Sequence, residues 1–199
     1  ANIEDAQIDL TAALIDNPAP GNSGNLDYWT NTDGASLQNN LWEYWQVAGG
    51  TTTQNIATAL PAGYYTLTAI AYTRDNMTAT LHAGENTMNI VGVNSNTVNT
   101  RSEGDAWIAQ GNGINKLQFK LNESTTNLEI GLTADNTTAD YWMCWRSFEL
   151  KYLGTNPVSL FVSDYEEALA AANTANNDEA NANVTGSEKT AIEKAIADK

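Results

Sequence analysis

Alternation of side-chain character over two long segments constrains this chain more than any other feature. In Leu60-Pro-Ala-Gly-Tyr-Tyr-Thr-Leu-Thr-Ala-Ile-Ala-Tyr72, the residues Tyr65, Leu67, Ala69 and Ala71 share one face of an extended strand, and Thr66, Thr68, Ile70 and Tyr72 share the other. Successive strand side chains point to opposite sides, so one face is able to meet a core. Pro61 and Gly63 supply the turn that opens the strand. In Tyr141-Trp-Met-Cys-Trp-Arg-Ser-Phe-Glu-Leu-Lys-Tyr152, Phe148, Leu150 and Tyr152 oppose Ser147, Glu149 and Lys151, and Gly154 stops the run. Two such strands predict a packed antiparallel sandwich, an architecture that presents binding surfaces more readily than it announces chemistry.

Between Ile8 and Leu153 the same spacing recurs in short runs. Leu117, Phe119 and Leu121 form one; Leu128, Ile130 and Leu132 another; and Thr78, Thr80 and His82 oppose Ala79, Leu81 and Ala83. Asn112-Gly113 and Asn122-Glu-Ser-Thr-Thr-Asn127 suit hairpin connections. The 199 residues are enough for one well-filled core, and the reading is mainly β, with one sandwich over residues 1–154. Beyond Gly154 the character changes. Ser163-Asp-Tyr-Glu166 and Thr185-Gly-Ser-Glu188 have capping-box spacing ahead of alanine-rich and Ile192-containing runs, which predicts two helices joined through Asn173 to Asn183. Residues 155–199 therefore read as a short helical hairpin or spacer, the start of a further helical domain in a longer chain.

The formal net charge of −15 would repel phosphate backbones and anionic bilayers, so neither nucleic acid nor membrane insertion is expected. No apolar run approaches the roughly 20 residues that span a bilayer, and the opening Ala1-Asn-Ile-Glu-Asp5 lacks a basic then apolar signal pattern, which leaves open a signal removed beforehand. Cys144 is the single cysteine and sits in an aromatic strand, where a small buried hydrophobe is expected. The Asn, Thr, Gly and Ala surplus fits polar-looped strands in an extracellular or cell-surface setting.

Several segments taken together resemble the galactose-binding-domain-like jelly rolls, built like carbohydrate-binding modules, of large secreted and surface-attached bacterial proteins that handle glycans. They are Leu10 to Asn17 with Trp29, Gln54 and Ile56 before Leu60-Pro-Ala-Gly63, Arg74, Leu81-His-Ala-Gly84, Leu128-Glu-Ile-Gly131, and Trp145 to Gly154. The resemblance covers roughly residues 8–154. It implies a jelly-roll β-sandwich, a glycan or oligosaccharide as ligand, and other domains of the same parent protein as partners. Such domains often carry Asp two positions before the terminal-strand Phe, where a carboxylate can help hold a structural calcium ion; this chain has Arg146 there, which puts calcium in doubt and leaves no cofactor expected.

Recognition of a sugar needs an aromatic plane and fixed polar groups. Trp42, Tyr44 and Trp45 sit together in Leu41-Trp-Glu-Tyr-Trp-Gln46; alternation puts Trp42 and Tyr44 on one side and Glu43 with Trp45 on the other, and one side faces the core. Arg74-Asp75-Asn76 follows the long strand, and Arg101-Ser-Glu103 with Asp105 and Trp107 lies in the longest polar stretch, read as a second loop able to converge on the first. The candidate carbohydrate-binding residues are Trp42, Tyr44, Arg74, Asp75, Asn76, Arg101, Glu103 and Trp107. For Arg74 the resemblance also has a basic residue.

Enzyme signatures are missing. Glu43, Asp75, Glu103 and Asp105 show no spacing that marks a glycosidase pair, and His82, the sole histidine, falls in a strand, where a sheet-face role is expected. There is no nucleophile elbow, phosphate loop or dinucleotide fingerprint. Two readings stand: a non-catalytic carbohydrate-binding module, or a structural or adhesive spacer whose partner is another protein. An exposed Trp or Tyr ringed by polar groups separates them.

Overall fold

The computed structural model describes residues 7–47, 49–75, 77–134 and 141–157, together with 174 and 194. The chain divides into two units, Ala6–Asn156 on one hand and Ala1–Asp5 with Pro157–Lys199 on the other. The two helices expected after residue 155 lie outside the described residues apart from Lys194, which is helical; Thr174, in the stretch expected to join them, is helical as well.

In the first unit the elements run β1 (Ile8–Asp9), α1 (Thr11–Leu14), α2 (Pro20–Ser23), β2 (Thr30–Asn31), β3 (Ala35–Gln38), β4 (Leu41–Trp45), β5 (Thr51–Ile56), β6 (Gly63–Arg74), β7 (Ala79–Ala83), β8 (Asn86–Asn89), β9 (Gly92–Val93), α3 (Arg101–Ala109), β10 (Ile114–Leu121), β11 (Leu128–Ala134) and β12 (Trp142–Gly154). They form a β-sandwich. The larger sheet has the order β10-β6-β12-β4-β3, with β1 on β12 and β9 on β6; the smaller has the order β2-β5-β11-β7-β8. All pairings are antiparallel except the short parallel contact of β9 with β6.

The two segments that alternate most strictly, β6 and β12, are central neighbours from Met143↔Thr73 to Gly154↔Tyr64. Tyr65, Leu67, Ala69 and Ala71 of β6 meet Leu81, Ile130 and Leu132 of the smaller sheet in the main core. Fully burying a leucine-sized side chain stabilises by about 1.5–3 kcal/mol, which is why the alternation fixes register so firmly. In β12 the register shifts between Trp145 and Ser147. This bulge at Arg146 resets the parity: Tyr141, Met143 and Trp145 face the core before it, Phe148 and Leu150 after it.

Part of the outer face of the larger sheet is buried as well. Tyr72, Trp142, Cys144 and Leu41 pack there with Val93, Val98 and Ile108 in a second cluster. Helix α3, whose Ile108 belongs to that cluster, replaces the polar loop read from the sequence. Thr100 caps it: the Thr100 hydroxyl accepts from Glu103 N and the Glu103 carboxylate accepts from Thr100 N, a reciprocal capping box. Gly104 allows α3 to lie close, since an added Cβ would fall on Tyr72 Oη.

Candidate functional site

Where the second cluster reaches solvent, strand ends and the segment leading into α3 meet. Trp45 closes β4, Trp142 opens β12 and Arg74 closes β6. The register Trp142↔Trp45 sets the two indoles side by side, 5.9 Å apart and nearly perpendicular at 76°. Arg74 Cζ stands 5.0 Å from the Trp45 ring centre and 4.9 Å from that of Trp142, so its guanidinium lies in the corner of two indoles.

Polar groups hold this corner. Arg74 Nη1 donates to Asn99 Oδ1 at 3.1 Å, and Arg74 Nε lies 3.9 Å from Asp75 Oδ2. Asp75, itself in a left-handed conformation with φ 55°, accepts from Ser95 N at 2.8 Å. The segment after β6 and the segment before α3 thus converge through Arg74, Asp75, Ser95 and Asn99. Beneath them, Glu43 Oε2 accepts from Trp142 Nε1 at 2.7 Å, while Glu43 Oε1 accepts from Ser36 Oγ at 3.0 Å and pairs with Arg101 Nη1 at 3.2 Å. Rings continue the array inward: Trp142 meets Tyr72 edge-on at 5.7 Å, and Tyr72 meets Trp107 at 5.6 Å. Trp45 is the wet end of the array, 44% exposed.

The other candidates fall around this corner or away from it. Tyr44 faces the core, fully buried, its hydroxyl donating to Thr51 O and its pKa pushed up to about 12 by burial; it has no surface to give a ligand. Trp42 packs against the main core and donates Nε1 to Pro20 O at 2.9 Å. Glu103 is committed to the cap, where hydrogen bonds from Asn99 N and from Thr100 hold its carboxyl below the usual range. Arg101 reaches the corner through Glu43 and Ser36. Trp107, on α3, is half-buried at the far end of the ring array, packed against the outer cluster and away from the Trp45 corner. Asn76 lies outside the described residues. Trp45, Trp142, Glu43 and Asn99 complete the corner without having been candidates. The alternation in Leu41-Trp-Glu-Tyr-Trp-Gln46 had paired Trp45 with Glu43; which pair faces outward is decided by strand pairing with β12.

At the calcium-related position, Arg146 lies against Asp105 in an ion pair, with its Nε donating to Asn40 O at 3.2 Å. A guanidinium only donates, and it already uses the carboxylate and carbonyl oxygens around it, so these residues do not fit a calcium ion. Among the described residues no three His, Cys, Asp or Glu side chains cluster as a metal site. Cys144 is fully buried, its thiol pushed up by desolvation. Elsewhere on the outer face of the larger sheet, Thr68, Ile70, Ile114, Lys116, Ser147 and Glu149 line an open recess of about 330 Å³, to which none of the candidates contributes.

No family model matches the chain, and no curated protein matches it. Eleven chains of solved structures do match. One is the structure of TmCBM61 in complex with beta-1,4-galactotriose, 13% identical, with a TM-score of 0.45, covering 69% of this chain and 96% of that one. No helix among the described residues is long and apolar enough to cross a membrane.

Proposed function

We propose that the sandwich, taken as residues 1–154, is a non-catalytic carbohydrate-binding module of a larger secreted or surface protein, with residues 155–199 leading into a further domain. The observation that carries this reading is Trp45: a large aromatic left 44% exposed, with Arg74, Asn99 and Asp75 fixed around it. A sugar ring lays its C–H face on an indole while its hydroxyls reach amide, carboxylate and guanidinium groups. Holding Arg74 between two indoles reduces the side-chain ordering that binding would otherwise cost. The opposite charges here, Arg74 with Asp75 and Arg101 with Glu43, balance, which favours a neutral glycan over an acidic one.

The carboxylates support binding over turnover. Glu43 has Trp142, Ser36 and Arg101 on its oxygens, and Glu103 serves the helix cap, so both are occupied by structural partners. A spacer role would leave the exposed indole and its polar surround without a purpose.

Isothermal titration of the full chain against neutral oligosaccharides tests the proposal. Binding by at least one is expected, weakened about 30-fold in Trp45→Ala, the equivalent of about 2 kcal/mol for a binding anchor. Heat with no saccharide, or equal affinity in the variant, overturns it.

A further inference from the structure

The larger sheet is open along one edge. β10 is its terminal strand, and among the described residues no other strand pairs with the far side of β10. Ala71 N donates to Gly113 O at 2.9 Å, and with the register Ile114↔Ile70 this fixes which backbone groups face outward. Asn115, Leu117 and Phe119 turn theirs toward β6, whereas Ile114, Lys116, Gln118 and Lys120 turn theirs away from it. The side chains of these same four residues stand on the outer face and are exposed. One set of residues thus offers both its backbone and its side chains.

Charge marks the same edge. The basic residues of 7–157 are Arg74, Arg101, Lys116, Lys120, Arg146 and Lys151. Arg74, Arg101, Arg146 and Lys151 each lie beside a carboxylate, of Asp75, Glu43, Asp105 and Glu149 in turn. Among the described residues Lys116 and Lys120 pair with no carboxylate, and Lys120 stands 5.3 Å over the Tyr64 ring instead. Lysine on an edge strand ordinarily keeps identical edges apart. That role leaves a second feature without a purpose. Ile114 is 48% exposed and opens onto the recess of about 330 Å³, with Ile70 and Thr68 beside it on β6 and Ser147 and Glu149 beyond them on β12. Exposed aliphatic surface at the mouth of a hollow, rimmed by polar groups, is the chemistry of a protein contact.

From this geometry we infer that β10 is a docking edge for an extended acidic segment of another protein, which adds to the larger sheet as a further strand. Its backbone pairs with Ile114, Lys116, Gln118 and Lys120, two of its carboxylates meet the two lysines, and an apolar side chain packs on Ile114 at the mouth of the recess. A second copy of the chain fits this edge poorly, since pairing two such strands sets lysine against lysine. A sugar ring fits it poorly too: Ile70 and Ile114 give aliphatic surface, and the one ring among the lining residues, that of Phe148, is turned into the core against Trp29. The docking edge shares no residue with the Trp45 corner and does not depend on the proposed function.

The test uses the full chain and a peptide blocked at both ends, Glu-Val-Thr-Val-Glu-Val-Phe, which in antiparallel pairing sets its two Glu against Lys120 and Lys116 and its Phe against Ile114. Backbone amide shifts are mapped in wild type, in Trp45→Ala and in the double variant Lys116→Glu with Lys120→Glu. Three results together support the docking edge: shifts centred on residues 114–120 that persist in Trp45→Ala, affinity lowered about tenfold in the double variant, and loss of binding when the Thr and the second Glu of the peptide are N-methylated. Equal binding by the N-methylated peptide overturns it, because attraction between charges needs no backbone pairing. Absence of shifts at millimolar peptide overturns it as well. A dimer of the chain that the double variant dissociates assigns the edge to a second copy, and shifts of these residues by cellohexaose but not by the peptide assign the recess to a glycan; either result contradicts the inference.

Discussion

Trp142 donates its indole N–H to the Glu43 carboxylate at 2.7 Å across the β12–β4 pair, in a place almost closed to solvent. The pair ties the ring array to the Arg101 end of α3, so the outer cluster and the candidate site share one anchor.

Removing that anchor has a calculable cost. Glu43→Ala leaves Trp142 Nε1 without its acceptor and Arg101 without its carboxylate, with only Ser36 still accepting from it, in a poorly solvated place, and is expected to destabilise by about 2–4 kcal/mol. Glu43→Gln keeps one acceptor and costs less. Urea unfolding followed by tryptophan fluorescence gives both values; equal midpoints for Glu43→Ala and wild type would contradict the role.

Helix α3 depends on one small residue. Gly104→Ala places a methyl on Tyr72 Oη and forces the helix off the sheet, at an expected cost of about 1–3 kcal/mol despite the better helix propensity of alanine. For a domain of this size that is a fall in Tm of several degrees. Near-UV circular dichroism reports whether the Tyr72 and Trp107 rings separate as predicted.

Stability is predicted to fall on the acid side of neutrality. Burial holds the His82 pKa below its usual 6.5, with Glu129 opposing in part. A histidine whose folded pKa is depressed binds protons more readily when unfolded, so its stabilising contribution is complete above about 6.5 and is lost as pH falls through that value. The chain has one histidine, so the effect is assignable. Urea midpoints between pH 8 and 5.5 are expected to decline in wild type and to stay flatter in His82→Gln; parallel curves would contradict this.

Cys144 offers a probe of the outer cluster. It is fully buried beneath α3 and its thiol pKa is raised, so a thiol reagent at neutral pH is expected to leave the native protein unmodified and to react at the rate at which the cluster opens. Rapid labelling without denaturant would mean that α3 does not cover the sheet.

The sequence reading reached the core through alternation, and the main-core faces of β6 and β12 stand as Tyr65, Leu67 and Phe148 imply. The outer face of the larger sheet was harder to read. Tyr72 occupies a position that alternation assigns away from the core, Trp142 and Cys144 ones that alternation counted from Phe148 assigns to it, and nothing local signals that a helix will cover the outer face. Thr100-Arg-Ser-Glu103 did carry a capping-box signal, the same spacing that marked helices after residue 155, but few apolar residues follow it before Trp107 and Ile108. The bulge at Arg146 splits β12 into two opposite parities, which a single alternating pattern cannot express. At the candidate site Arg74 and Asp75 were legible as a polar pair after a strand. Trp45 was not, because its outward direction follows from long-range pairing with Trp142 and not from its neighbours.

The central claim, a glycan held on Trp45 without turnover, meets its most direct test in the indole N–H resonances of the intact protein. Adding a neutral oligosaccharide that binds is predicted to shift the Trp45 signal and leave the fully buried Trp145 signal in place, with the sugar recovered unchanged. A Trp45 resonance that stays fixed through the whole range of saccharides, or a sugar that is cleaved, would contradict the account.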